Sequence, residues 1–157
     1  MTIVTHYAVG AGVYMVVTKA VCHVLGVDHA TSNLLAGFMG ANGGAIGAAP
    51  DGIDWLAWKF FGVPRWQLYN MFHKPDGELR KLLQYTLAGW LHIEMDKFVH
   101  PPKLPLLTDP DCPEELKVVV LRTKWLTLTV RDVLYLSGEQ VAWVFIVLTW
   151  YMSLKVL

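Results

Sequence analysis

Long apolar stretches separated by clusters of Gly, Pro and Asp dominate the chain. We find no repeated pair of runs in which apolar and polar residues alternate, so the pattern does not favour a sheet. It predicts an all-α protein, a compact bundle of about five helices that forms a single domain over residues 1–157. The predicted helices run from about 3 to 25, 33 to 49, 78 to 99, 113 to 136 and 139 to 154.

Helix-breaking residues set these boundaries. Pro50 ends the second predicted helix, Pro101 and Pro102 end the third, and Ser137 with Gly138 separates the fourth from the fifth. Thr31 or Ser32 is expected to cap the second helix, because both side chains can accept a hydrogen bond from the first turn. A loop with a short aromatic helical piece is expected between residues 50 and 77.

Two segments approach the length of a membrane span. Residues 33–50 and 140–154 carry no charged side chain, whereas a full span usually takes about 20 residues. The glycines within 33–50 are costly in a solvated helix but allow neighbouring helices to approach closely. The pattern favours a membrane-associated bundle, and a soluble bundle with very apolar inner helices is the alternative.

Composition and charge narrow the class of protein. The apolar fraction of 54% and the seven Trp, with a mean hydropathy of +0.38, are high for a soluble domain. Thirteen basic and thirteen acidic residues cancel, so we expect no nucleic-acid partner. The two cysteines, Cys22 and Cys112, do not have the short sequence spacing that is typical of metal-binding cysteines. The apolar N-terminus lacks a basic first segment and is expected to belong to the fold. The sequence leaves open whether the protein forms an oligomer or a larger assembly.

A polar stripe interrupts the apolar run "GWLHIEMDKFVHPP", residues 89–102. His92, Asp96 and His100 are spaced at i, i+4 and i+8, so one face of a helix carries all three side chains. A buried histidine and carboxylate need partners, and either a metal ion or mutual pairing of His92 with Asp96 would provide one. His100 stands at the predicted helix end, which favours a capping role or an outer position at a metal site.

Helix geometry predicts that further polar residues meet this stripe. Two antiparallel helices joined by the turn near Gly26 would bring His6 and Asp51 to the same end. The third helix can pack against that end, where the following loop also starts. The candidate ligands are then His6, Asp51, Asp54, His73, His92 and Asp96.

Imidazole nitrogen and carboxylate oxygen without thiolate suit Zn²⁺ in a catalytic site, or alternatively Mn²⁺ or Fe²⁺. Six candidates indicate two ions, or one ion with an outer layer of partners. Asp54 is flanked by the apolar Ile53 and Trp55, which would raise its pKa and suit it to act as the general base, with bridging of two metals as the alternative. Taken singly, Asp51, Asp54 and His73 could each be a turn, cap or loop residue.

The segments "GAAPDGID", "MFHKPDG" and "GWLHIEMDKFVHP" resemble the pattern of a bacterial family of membrane-associated metal-dependent hydrolases, the LexA-binding inner-membrane type. That family is similar to zinc-dependent phospholipase C in its arrangement of His and Asp. The resemblance covers about the first 100 residues and leaves the helices at about 113–157 without a counterpart. It implies metal binding by all six candidates and a location at the bacterial inner membrane.

Three functional classes follow from these features. The first is a metal-dependent hydrolase that uses metal-activated water on a phosphoester, with a phospholipid-type or a small substrate and membrane lipid as a partner. The second is a non-catalytic membrane scaffold or interaction protein whose polar or metal cluster holds helices together. The third, a haem or quinone protein, is disfavoured because carboxylates accompany nearly every histidine.

Overall fold

The computed structural model describes residues 2–74, 76–99 and 104–155. The protein is 76% helical with little strand, so the predicted all-α class is confirmed. The helices are α1 (Ile3–Val24), α2 (His29–Phe61), α3 (Arg65–His73), α4 (Glu78–Leu83), α5 (Leu87–Val99), α6 (Glu114–Lys117) and α7 (Val130–Lys155), and the strands are β1 (Val119–Arg122) and β2 (Thr127–Thr129).

Helices α1 and α2 form the central antiparallel pair. Gly26 adopts a φ of +67° in the turn between them, a conformation that glycine reaches without steric cost. The cap of α2 is Asp28, whose side chain accepts from the Thr31 amide, so the prediction of Thr31 or Ser32 as the cap was wrong. A Cβ atom on Gly10 would collide with the carbonyl oxygen of Gly43, which means that the two backbones are in direct contact.

The prediction that Pro50 ends the second helix was wrong, because α2 continues through Pro50 to Phe61. A proline removes one backbone hydrogen bond and kinks a helix, but packing against neighbours can carry the helix past it. Pro50 is fully buried, which is consistent with such support. Gly62, with a φ of +66°, ends the helix instead. Asp51 and Asp54 therefore lie on a helix rather than in a loop.

Three further boundaries differ from prediction. The third predicted helix is divided into α4 and α5. The fourth is replaced over 113–129 by α6 and an antiparallel pairing of β1 with β2, and its last residues belong to α7. The β-branched residues of "VVVLR" and "TLTV" favour extended structure there. Helix α7 runs unbroken through Ser137 and Gly138, and Ser137 bonds the carbonyl of Val133 within it. His100, Pro101 and Pro102 lie outside the described residues.

Among the described residues, two helices are long and apolar enough to cross a membrane, α1 and α7. Only 33% of the α1 window and 22% of the α7 window is buried, whereas a core helix of a soluble protein would be mostly buried. The uncharged run at 33–50 does not give a third such helix, since it contains two Asn and many Gly. The run at 140–154 lies within α7.

Helix α7 closes the bundle against α1 and α5. Ala142 and Ile146 pack with Val9 in the apolar core, and the indole of Trp150 donates to the carbonyl of Ala8 at 3.0 Å. Nearer the start of α7, Glu139 accepts hydrogen bonds from the first turn of α1. Helix α7 is thus tied to the first turn of α1, where Thr5 precedes His6.

Candidate metal centre

Five of the six predicted ligand residues come together between four helices. His6 lies in α1, Asp51 in α2, His73 at the end of α3, and His92 with Asp96 in α5. We call these residues the His/Asp cluster. The predicted meeting of His6 with Asp51 is confirmed, because His6 Nε2 lies 3.5 Å from Asp51 Oδ2.

Asp96 joins the three histidines of the cluster. Its Oδ1 lies 3.3 Å from His6 Nε2, and its Oδ2 lies 2.9 Å from His73 Nε2 and 3.6 Å from His92 Nε2. The rings of His6 and His92 stack with their centroids 3.7 Å apart. Two overlapping groups therefore have the composition and spacing of a metal site, one of His6, Asp51 and His92 and the other of His73, His92 and Asp96.

Backbone carbonyls fix the orientation of two of these histidines. His92 Nδ1 lies 2.7 Å from the carbonyl oxygen of Gly47, and His73 Nδ1 lies 2.8 Å from that of Tyr69. A carbonyl oxygen only accepts, so each Nδ1 must carry a hydrogen. In the neutral state each Nε2 then presents a lone pair, which is the arrangement found in metal-binding histidines.

The two lone pairs face each other. His73 Nε2 and His92 Nε2 are 3.1 Å apart, so in the metal-free protein a proton must lie on one of them. Burial opposes a charge on His73, but its hydrogen bond to Asp96 raises its pKa above the ordinary value. Burial and then the nearby His6 hold the pKa of His92 well below its usual range. The proton therefore belongs to His73.

The two carboxylates of the cluster differ in their electrostatics. Burial acts to raise the pKa of Asp96, yet His6 and His73 hold that pKa well below its usual range. Asp51 has a raised pKa because its burial outweighs the influence of His6. Asp96 is thus strongly favoured as an anion among the histidines, and a cation beside Asp51 would offset the cost of its burial.

The spacing of the cluster fits a coordination shell. With metal–ligand distances near 2.1 Å, two ligands of one ion lie about 3.0 to 3.4 Å apart for octahedral or tetrahedral angles. The contacts of His6 Nε2 with Asp51 and Asp96, at 3.5 and 3.3 Å, are close to this range. Among the described residues, His6 Nε2 and Asp51 Oδ2 are buried without a hydrogen-bond partner. A shared cation would satisfy both atoms.

Asp54 is placed apart from this cluster. It lies one turn after Asp51 and is buried, but Arg65 donates to it from Nε at 3.0 Å and also contacts it through Nη2. Burial raises the pKa of Asp54, and Arg65 opposes that shift. Asp54 belongs to neither of the two groups with metal-site spacing in the described part of the chain. Its role as the general base stays a prediction.

Sequence reasoning missed several residues around the cluster. Glu139 accepts from the Thr2 amide at 2.6 Å and from the Thr5 hydroxyl, and so ties α7 to the turn that carries His6. Arg131 and Tyr135 precede it on the same face of α7. Arg131, Tyr135 and Glu139 have the same i, i+4 and i+8 spacing as His92, Asp96 and His100. This spacing was the signal in the sequence that could have identified them as one polar helix face.

In comparisons with known proteins, no family model, curated protein or solved structure matches this chain.

Proposed function

We propose that the His/Asp cluster binds one or two divalent metal ions, Zn²⁺ first among them, and that the protein is a metal-dependent hydrolase of phosphoesters. The facing Nε2 atoms of His73 and His92, 3.1 Å apart with both Nδ1 atoms bonded to carbonyls, carry this proposal. A cation would take the place of the proton between these two atoms, and Asp51 and Asp96 would balance its charge.

The residues of the cluster would have different roles in binding. When bound, a divalent ion of this kind supplies hydroxide from water near neutral pH and polarises a phosphoryl oxygen. The side chains of His6 and His92 are 1% and 0% exposed, so they form the sealed wall of the site. Asp51, His73 and Asp96 keep 12 to 16% exposure, so substrate would approach past them.

Proton transfer is assigned to Asp54 in this proposal. Its pKa is raised by burial, and a carboxylate with a raised pKa is suited to exchange a proton with water near neutral pH. Arg65 holds the same carboxylate, so this contact must open when Asp54 acts. The side chain of Arg65 is 44% exposed, which leaves it free to turn towards solvent.

A phospholipid-type phosphoester at a membrane surface is the substrate class that we propose. The low burial of α1 and α7 supports a location in a membrane, where lipid would be both partner and substrate. The resemblance of the "GAAPDGID" and "GWLHIEMDKFVHP" segments to bacterial inner-membrane hydrolases similar to zinc-dependent phospholipase C points in the same direction.

One observation favours a second function, a non-catalytic membrane scaffold with a structural metal. The ion pair between Arg65 and Asp54, at 3.0 Å, occupies the carboxylate that hydrolysis would need as a base. In that case the cluster would only hold α1, α2, α3 and α5 together.

Hydrolysis of bis(p-nitrophenyl) phosphate by the detergent-purified protein separates the two functions. The protein loaded with Zn²⁺, Mn²⁺ or Fe²⁺ is expected to release p-nitrophenol, and His92→Ala is expected to abolish this activity. Bound metal without hydrolysis in any of the three forms would favour the scaffold. An absence of both metal and activity would contradict the hydrolase and the metal site alike.

A further inference from the structure

A second polar stripe lies on the first half of α7. Arg131, Tyr135 and Glu139 are four residues apart, so their side chains share one face of the helix. Arg131 and Glu139 are buried and Tyr135 is half-buried. Helix α7 packs against α1 and α5, which carry His6, His92 and Asp96. Glu139 on this face accepts from the hydroxyl of Thr5, the residue before His6, so the face meets α1 next to the His/Asp cluster.

Two successive carbonyls hold Arg131 beside the cluster. The Tyr69 hydroxyl donates to the carbonyl oxygen of Leu104 at 3.1 Å, and Arg131 Nε donates to that of Pro105 at 2.8 Å. The ring of Tyr69 stacks on His73 with centroids 4.1 Å apart. Because neighbouring carbonyls fix both side chains, the guanidinium of Arg131 is close to Tyr69 and, through it, to His73.

Electrostatic interactions place the same guanidinium and the cluster carboxylates in one region. Tyr69 and Tyr135 each interact with the charges of Arg131, Asp51 and Asp96. Arg131 Cζ also lies 5.1 Å from the ring centroid of Tyr135, within the range of a cation–π contact. Tyr135 thus contacts the basic side chain and lies within electrostatic range of the acidic cluster.

Among the residues that the structure describes, Arg131 makes no ion pair at hydrogen-bond distance. Its Nη1 lies 3.8 Å from Asp132 Oδ1, beyond hydrogen-bond length, whereas Arg65 approaches Asp54 to 3.0 Å. The Arg131 side chain keeps 11% exposure. Part of this largely buried side chain therefore reaches solvent.

Charge balance suggests what these groups bind. With one divalent ion bound, the charges of Asp51 and Asp96 would cancel that of the ion, so the positive charge of Arg131 would favour an anionic substrate. We propose that Arg131, backed by Tyr135, forms an oxyanion subsite that binds the non-bridging oxygens of the phosphoester. The fork of N–H donors on arginine matches the geometry of phosphate. This inference rests on the proposed function and adds the residues that recognise its substrate.

Inorganic phosphate binding to the detergent-purified protein, measured by calorimetry with and without bound zinc, tests the subsite. Arg131→Gln is expected to weaken phosphate binding about 10- to 100-fold, the loss typical of a charge-assisted hydrogen bond, and to leave the zinc content unchanged. Arg122→Gln is the matched control, because Arg122 is exposed on β1, and it should bind phosphate like the wild type. Arg131→Lys keeps the charge but not the fork, so an intermediate affinity is expected.

The outcomes separate this inference from the metal site. Equal phosphate affinity in wild type and Arg131→Gln, or no phosphate binding by the wild type, would overturn the subsite. Loss of zinc in Arg131→Gln would also overturn it, because Arg131 would then support the cluster rather than bind substrate. Absence of metal from the wild type would overturn the proposed function, and the metal-free titrations would still decide the subsite. If Arg131→Gln does not fold, wild-type phosphate affinity in Arg131→Lys would overturn it.

Discussion

Replacement of Gly10 by alanine tests the contact between α1 and α2 that brings His6 to Asp51. The added Cβ would collide with the carbonyl oxygen of Gly43, lie 3.0 Å from its carbonyl carbon and lie 3.4 Å from Gly44 Cα. These are backbone atoms, so the helices must separate. Overpacking of this kind costs about 1 to 3 kcal/mol, and the better helix propensity of alanine returns up to about 1 kcal/mol. We expect a net loss of about 1 to 2 kcal/mol.

Gly37→Ala is the matched control. Gly37 is an exposed residue in α2 with nothing within 4 Å of the added Cβ, so only helix propensity acts, and a gain of about 0.5 to 1 kcal/mol is expected. Urea unfolding of the detergent-purified variants, followed by circular dichroism, measures both free energies. Gly10→Ala should also bind zinc more weakly, because His6 moves with α1. If Gly10→Ala is as stable as Gly37→Ala, the close helix contact is refuted.

The remaining predictions concern side chains around the cluster. Asp54→Asn should keep its metal and hydrolyse bis(p-nitrophenyl) phosphate about 10² to 10⁴ times more slowly; an unchanged rate would exclude Asp54 as the base. Glu139→Gln should lower the free energy of unfolding by about 1 to 3 kcal/mol, because Thr2 and Thr5 both donate to this carboxylate; urea unfolding with unchanged stability would contradict it. Zinc should displace the proton of His73, so the apparent affinity for zinc should fall as the pH drops below the raised pKa of His73. Calorimetry in buffers of different ionisation heat measures the protons released on binding, and release of none would contradict this prediction. The untagged protein should stay with membranes through carbonate extraction, and its complete release would refute the membrane location.

The sequence was most informative where helix periodicity acts alone. The i, i+4 spacing of His92 and Asp96 predicted one helix face, and antiparallel geometry predicted the meeting of His6 with Asp51, now measured at 3.5 Å. Both inferences need only the rise and the repeat of a helix. They held although the predicted end of the second helix was wrong, because Asp51 follows Pro50 directly in either case.

Tertiary contacts explain what could not be predicted. Local propensity assigned a helix break to Pro50, but buried packing carries α2 past it. The carbonyl of Gly47 that orients His92 is a backbone group and leaves no side-chain pattern in the sequence. Arg65 lies eleven residues after Asp54, so their ion pair depends on the reversal between α2 and α3. Glu139 reaches Thr2 from the other end of the chain.

Elemental analysis of the purified protein tests the central claim most directly. Wild type is expected to contain one or two transition-metal ions per chain, and His92→Ala and Asp96→Ala are expected to lose them. His29→Ala is the control, because His29 is exposed at the start of α2 beside Asn33 and should not affect the metal. A metal content that stays unchanged in both His92→Ala and Asp96→Ala, or a wild type free of metal after purification with zinc present, would contradict the account.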